Sequence, residues 1–146
     1  MTAHHFYLRA DWPGGRNSDG YLETGNLKTK ISIPPEMGGP GIGTNPDEML
    51  LGAASTCYII TLAAMIERAA LPLLSMSLES EGIVDVTNGV FTYEKIIHKP
   101  TVVLTDEGVE EDYNKLNKLV EKAEKSCMIS RAVQGNVEIV VQANSK

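Results

Sequence analysis

Asn45-Pro46-Asp47-Glu48-Met49-Leu50-Leu51-Gly52-Ala53-Ala54-Ser55-Thr56-Cys57-Tyr58-Ile59-Ile60-Thr61-Leu62-Ala63-Ala64-Met65-Ile66 is the stretch on which the fold turns. Its first four residues spell a helix start. Asn45 supplies a side-chain acceptor for the open amides, Pro46 fits the first helical position, and Asp47 and Glu48 place negative charge at the positive end of the helix dipole. A helix to about residue 70 is expected, stopped by Pro72. Residues 49–66 carry no charge, which raises a membrane span as the first alternative. A span needs about 20 strongly apolar residues, whereas Gly52, Ser55, Thr56, Thr61 and several alanines dilute this one. The composition favours a helix buried inside a globular domain.

Upstream, residues 5–33 alternate apolar and polar in short runs broken by Pro13-Gly14-Gly15, Asp19-Gly20 and Thr24-Gly25-Asn26, the pattern of a β-meander. Tyr21-Leu22-Glu23 and Leu27-Lys28-Thr29-Lys30-Ile31 are its clearest strands. Residues 34–43, with three prolines and four glycines, read as a long surface loop. Downstream, extended segments are expected at 74–79, 91–98 and 101–104, divided by Asn88-Gly89 and Lys99-Pro100; residues 83–86 could extend the first. Residues 107–125 form a second helix, with Tyr113, Leu116, Leu119, Val120 and Ala123 spaced for one buried face. A short turn through Cys127 and a strand over 137–142 complete an α+β order in one domain spanning residues 1–146.

The composition narrows the function classes. Thirteen Lys+Arg against nineteen Asp+Glu give a net charge of −6 without a basic block, which argues against a nucleic-acid partner. Met1-Thr2-Ala3-His4-His5-Phe6 leads to Asp11 without the basic and apolar regions of a secretory signal, so a cytoplasmic location is expected. There, two cysteines are either inert or redox-active. They stand 70 residues apart, and His4, His5 and His98 add no zinc-binding spacing, so no metal is expected.

Residue by residue, the chemistry stays open. Cys57, about three turns into the apolar helix, reads either as a small buried hydrophobe or as a thiol activated from outside its own helix, whose N-terminus is too distant to help. Cys127, in Lys125-Ser126-Cys127-Met128-Ile129-Ser130-Arg131, reads as a packed thiol or as a partner for Cys57, provided folding brings the two Cα atoms to within about 6 Å. Arg16, in Gly14-Gly15-Arg16-Asn17, is either a solvated turn residue or a guanidinium folded inward to pair with Asp47.

Four segments taken together, Gly14-Gly15-Arg16-Asn17, Pro35-Glu36-Met37-Gly38-Gly39-Pro40-Gly41-Ile42-Gly43, Thr44-Asn45-Pro46-Asp47-Glu48-Met49-Leu50 with Cys57, and Ser126-Cys127-Met128-Ile129-Ser130-Arg131, resemble the OsmC/Ohr family of osmotically inducible and organic hydroperoxide resistance proteins. The resemblance covers nearly the whole chain in order and leans to the hydroperoxide resistance branch. It implies an intertwined α+β homodimer with antiparallel sheets around two central helices, and peroxide reduction by thiols without metal, flavin or haem. It also implies that Cys57 is the peroxidatic cysteine, Cys127 the resolving cysteine and Arg16 the arginine that orients thiolate and peroxide. Asp47 stands where the family usually places glutamate, with Glu48 as a substitute; Met128 replaces the usual proline, and the loop at Leu71-Pro72-Leu73-Leu74 is short. The implied substrate is an organic, alkyl or lipid-like hydroperoxide, and the implied reductant a dithiol of a lipoylated or thioredoxin-like protein, with no membrane partner. Two other readings of such a chain are a cysteine-based redox sensor and a non-catalytic small-molecule binding protein.

Overall fold

The structure, a computed structural model, describes residues 1–144. It divides into two compact units, residues 1–49 and residues 50 onward.

The first unit is the expected meander. Strands β1 (Arg9–Asp11), β2 (Gly20–Thr24) and β3 (Leu27–Ile31) pair antiparallel in the order β1-β2-β3. The loop that follows contains a 3-10 turn at Pro35–Met37, closed by Gly38 in the left-handed region at φ 75°. Its far end is tied back by Ser32, whose Oγ donates to the Ile42 carbonyl (2.8 Å) and accepts from the Ile42 amide (2.7 Å). Helix α1 (Pro46–Arg68) then begins as the sequence predicts, with Asn45 Oδ1 accepting from the Glu48 amide at 2.9 Å.

In the second unit α1 ends in a Schellman arrangement: the Leu71 amide donates to the Ile66 carbonyl (3.2 Å) and the Ala70 amide to the Glu67 carbonyl (3.0 Å). Ala70 takes the left-handed conformation there, φ 56°, where glycine is usual. Strands β4 (Leu73–Thr87) and β5 (Val90–Leu104) follow as one long antiparallel hairpin. Asn88 and Gly89 both have positive φ, 53° and 74°, which is the turn geometry that matches strand twist in a two-residue loop. The register slips between Ile83 and Val84, leaving Glu94 as a bulge residue.

Two strands expected on either side of Lys99-Pro100 are therefore a single strand. Asn144 donates to the Pro100 carbonyl at 2.9 Å, so the backbone polar edge of Pro100 faces away from β4, beyond the end of β6 (Glu138–Val141). No bond of the β4 ladder is lost, and the proline is tolerated. Strand β6 pairs with β5 in parallel, which makes this sheet mixed rather than purely antiparallel.

Helix α2 (Glu110–Ser126) begins three residues later than predicted. A turn closed by the Gly108 amide on the Thr105 carbonyl (2.9 Å) precedes it, and Asp112 Oδ2 caps the Val109 amide at 3.1 Å. Its buried residues Leu116, Val120 and Ala123, with Tyr113 and Leu119 partly covered, form the predicted face. The turn expected at Cys127 is the junction with a further short helix, α3 (Met128–Val133).

The core of this unit lies between β5, α1 and α2. Alternate residues of β5, Ile96, His98, Pro100, Val102 and Leu104, are buried on one face, and α1 contributes Ala54, Tyr58, Leu62 and Ile66 at four-residue spacing. Burying each large apolar side chain contributes on the order of 2 kcal/mol. Tyr58 is the keystone: it stacks on His98 (centroids 4.7 Å apart, 15° between planes) and donates from its hydroxyl to the Val120 carbonyl at 2.8 Å, joining all three elements.

Helix α1 is nevertheless not covered all round. Its length and the mean hydropathy of 1.9 over its most apolar 18-residue stretch would suit a membrane span by composition alone, yet one stripe is core while Ala53, Thr56, Ile60 and Ala64 lie open, Ile60 at 62% exposure. The sequence expectation of a buried helix holds for one face of it.

His98 is fully buried, bonded through Nδ1 to Ser80 Oγ at 2.8 Å, while its Nε2 has no partner among the described residues. Burial lowers its pKa to about 4 from 6.5. Above pH 6.5 the imidazole is neutral in both folded and unfolded chains and contributes no pH dependence. Between pH 6.5 and about 4 the unfolded chain takes up the proton and the folded one does not, so stability is lost as pH falls. The expected loss over this window is roughly 2 to 3 kcal/mol. Urea midpoints measured from pH 7 to 4 should show it, and His98→Phe, which keeps the stack on Tyr58, should lack that part of the slope; an unaltered slope in the variant contradicts the assignment.

Candidate active site

Cys57 precedes Tyr58 on α1, so when Tyr58 points into the core the thiol points about 100° to one side and is half-buried. Cys127 is fully buried and ends one helix while starting the next. Its amide donates to the Ala123 (3.0 Å) and Glu124 (3.3 Å) carbonyls of α2, and its carbonyl accepts from the Arg131 amide of α3 at 3.0 Å. Extended backbone at φ −64°, ψ 127° makes this possible, because a residue with such angles between two helices directs its side chain toward the amides of the second.

The two sulfurs meet. Both are free thiols, and they share a hydrogen bond. Their surroundings differ in a way that separates their acidities. Burial of Cys57 raises its pKa, but hydrogen bonds from Cys127, from the Ile129 and Met128 amides and from the Thr61 side chain together outweigh it, and the net shift is downward. For Cys127 burial again raises the pKa, the bond to Cys57 raises it further, and the Ser130 amide and hydroxyl only partly offset this, so the net shift is upward. Of the two, Cys57 is therefore the more acidic thiol and Cys127 the less acidic one.

Neither Thr61 nor Ser130 stands out in the sequence read alone. Thr61 follows Cys57 by four residues, one helical turn on the same face, and Ser130 follows Cys127 by three, the spacing of a capping pair. Those spacings were the available signals, but they acquire meaning only once the cysteines are known to meet. Beyond Ser130, Glu124, Lys125, Arg131 and Glu138 help to line a cavity of about 470 Å³.

The remaining candidate residues belong to the first unit. The guanidinium of Arg16 donates to Asn17 Oδ1 (2.9 Å) and to the carbonyls of Met37 (2.8 Å) and Gly38 (3.4 Å), so it is fastened to the glycine-rich loop rather than left free in its turn. Asp47 is half-buried in the first turn of α1. Glu48 accepts from Thr44 Oγ1 at 2.8 Å, which commits its carboxylate to the helix start.

Comparison with known proteins places this geometry. Residues 38–142 match the family of OsmC-like proteins, a span that includes both cysteines, Asp47 and Glu48 but not Arg16. The uncharacterized protein YmaD of Bacillus subtilis is 64% identical over 146 residues, covering all of this chain and 97% of that protein. An organic hydroperoxide resistance protein of Xanthomonas axonopodis pv. citri is 30% identical over 132 residues, 88% of this chain and 87% of that one. Among solved structures, an organic hydroperoxide resistance protein OsmC from Legionella pneumophila aligns with a TM-score of 0.80 at 26% identity, over 99% of this chain and 100% of that chain. With both thiols inside the matched span and the fold shared end to end, the chain belongs to the OsmC-like family.

Proposed function

We propose that the protein is a thiol peroxidase that reduces organic hydroperoxides to alcohols through Cys57 and Cys127. The observation that carries this reading is the hydrogen-bonded pair of free thiols with opposed pKa shifts. A lone packed cysteine does not need amide and hydroxyl donors, whereas a thiolate held in a half-buried site does. The name of the Xanthomonas relative supports the substrate class.

In the proposed cycle the Cys57 thiolate attacks the outer oxygen of R–O–O–H. The O–O bond breaks, the alkoxide takes a proton and leaves as the alcohol, and Cys57 becomes a sulfenic acid. The Cys127 sulfur then attacks the Cys57 sulfur, hydroxide leaves with the thiol proton as water, and a disulfide forms. A dithiol of a lipoylated or thioredoxin-like protein reduces it by exchange, in the cytoplasm. The apolar residues of α1 favour an alkyl or lipid-like peroxide, since burying the organic group adds affinity. Arg16 is assigned to orient thiolate and peroxide, paired with Asp47; Glu48, held by Thr44, is the weaker choice. The two units are read as one OsmC-like domain over residues 1–146, which the end-to-end match to the Legionella structure supports. The open stripe of α1 is read as the face that a second copy covers in a homodimer.

One equivalent of cumene hydroperoxide should yield a peptide pair joined through Cys57 and Cys127 in mass spectra. Cys57→Ser should abolish it, and Cys127→Ser should stop at a trappable sulfenic acid. Sustained peroxide consumption with dihydrolipoamide is expected, whereas a sensor oxidises once and stops. Absence of the linked peptide contradicts the reading.

Arg16→Ala should slow Cys57 oxidation by about ten- to a hundredfold, the worth of a hydrogen bond to a charged group, and raise the pH at which the thiolate appears; unchanged kinetics return Arg16 to a loop-fastening role. Ile60→Glu should shift a dimer to monomer in sedimentation velocity at micromolar chain, and an unaltered profile removes α1 from the interface.

A further inference from the structure

Resting on that reading, we infer that Ser130 is a positioning residue for Cys127: its hydroxyl is the donor that receives the Cys127 thiolate in the resolving step and plays no part in the attack on peroxide. Ser130 is buried at 6% exposure, and among the described residues its Oγ makes no well-formed hydrogen bond, although it lies close enough to the Cys127 sulfur to lower that thiol's pKa. A buried hydroxyl in that state is disfavoured by about 1 to 3 kcal/mol, so its retention calls for a group that needs it at another stage. The Cys127 sulfur is that group, being the side chain that the Ser130 hydroxyl and amide both face.

The need arises from the order of events. In the reduced protein the Cys127 S–H is directed at Cys57, where it helps hold the thiolate. Once Cys57 is a sulfenic acid its negative charge is gone, and with it one of the influences that keep the proton on Cys127, while burial, the largest of them, remains. Cys127 must then ionise in a fully buried position, where a bare thiolate is strongly disfavoured. The S–H proton passes to the departing hydroxide, the Cys127 sulfur forms the S–S bond, the Cys57 S–O bond breaks, and water leaves. The Ser130 hydroxyl, three residues along and already desolvated, donates to the sulfur while charge builds on it. When a dithiol opens the disulfide at Cys57, Cys127 departs as thiolate and the same donor receives it. Burial before use is the point: a donor already stripped of water need not reorganise when the charge appears.

The test separates the two steps. Native chain and Ser130→Ala are mixed with excess cumene hydroperoxide, with and without dimedone. Loss of the Cys57 thiol is followed together with the partition between dimedone adduct and the Cys57–Cys127 disulfide. The expected result is an unchanged rate of Cys57 oxidation in Ser130→Ala and a resolving step slower by about tenfold, the effect of one hydrogen bond to an ionised group, seen as a larger share of adduct. Ser130→Thr, which keeps the hydroxyl, should partition like the native chain. Equal slowing of both steps marks a structural role and overturns the inference, as does an unchanged partition in Ser130→Ala or a Ser130→Thr that behaves like it. Failure of the native chain itself to form the disulfide would instead defeat the peroxidase reading.

Discussion

A sulfur anion cannot be carried into a protein interior unless donors come with it, and the second unit is organised around that constraint. Cys57 on α1 and Cys127 at the α2–α3 junction lie against each other with three backbone amides, a threonine hydroxyl and a serine hydroxyl as their polar neighbours. The arrangement requires two things of the fold. Helix α1 must be held at a fixed height and rotation against α2, and α2 must stop at Cys127 so that fresh amides become available. Tyr58 meets the first requirement, because its ring is locked on His98 and its hydroxyl on the Val120 carbonyl. The change of direction at Cys127 meets the second.

The asymmetry between the thiols comes from geometry and not from residue type. Each is desolvated, which by itself pushes a thiol pKa up. Cys57 collects several donors, while Cys127 donates toward Cys57 and has only the Ser130 amide and hydroxyl beside it. A difference in acidity between the two thiols thus follows from which one the amides of Met128 and Ile129 face. The histidine beneath Tyr58 shows the opposite treatment: among the described residues the His98 imidazole has one hydrogen-bond partner, Ser80, is neutral at pH 7, and serves as a flat surface for packing.

The open stripe on α1 belongs to the same logic. A helix apolar on every side is stable in water only if every side is covered. This chain covers the side with Ala54, Tyr58, Leu62 and Ile66, and leaves Ile60 and its small neighbours outward. Small residues on such a stripe permit close approach of another surface, and they explain why alanine and glycine so dilute the apolar run that carries Cys57.

By itself the sequence determined the elements whose causes are local. Asn45-Pro46-Asp47-Glu48 set the start of α1, Asn88-Gly89 the hairpin turn, and the spacing of Leu116, Val120 and Ala123 the buried face of α2, since caps, turns and periodicity act within a few residues. That the chain carries two cysteines 70 residues apart was legible as well, but not that they meet. Tertiary structure alone decided that Pro100 sits inside a strand, because a proline is tolerated only where its missing amide faces no partner, and partners are not written beside it. It alone decided that α1 is covered on one face, and that Thr61 and Ser130 stand beside the thiols. Proximity across 70 residues arises from packing the whole core, and hydrogen bonds as short-ranged as these exist only after that packing is complete.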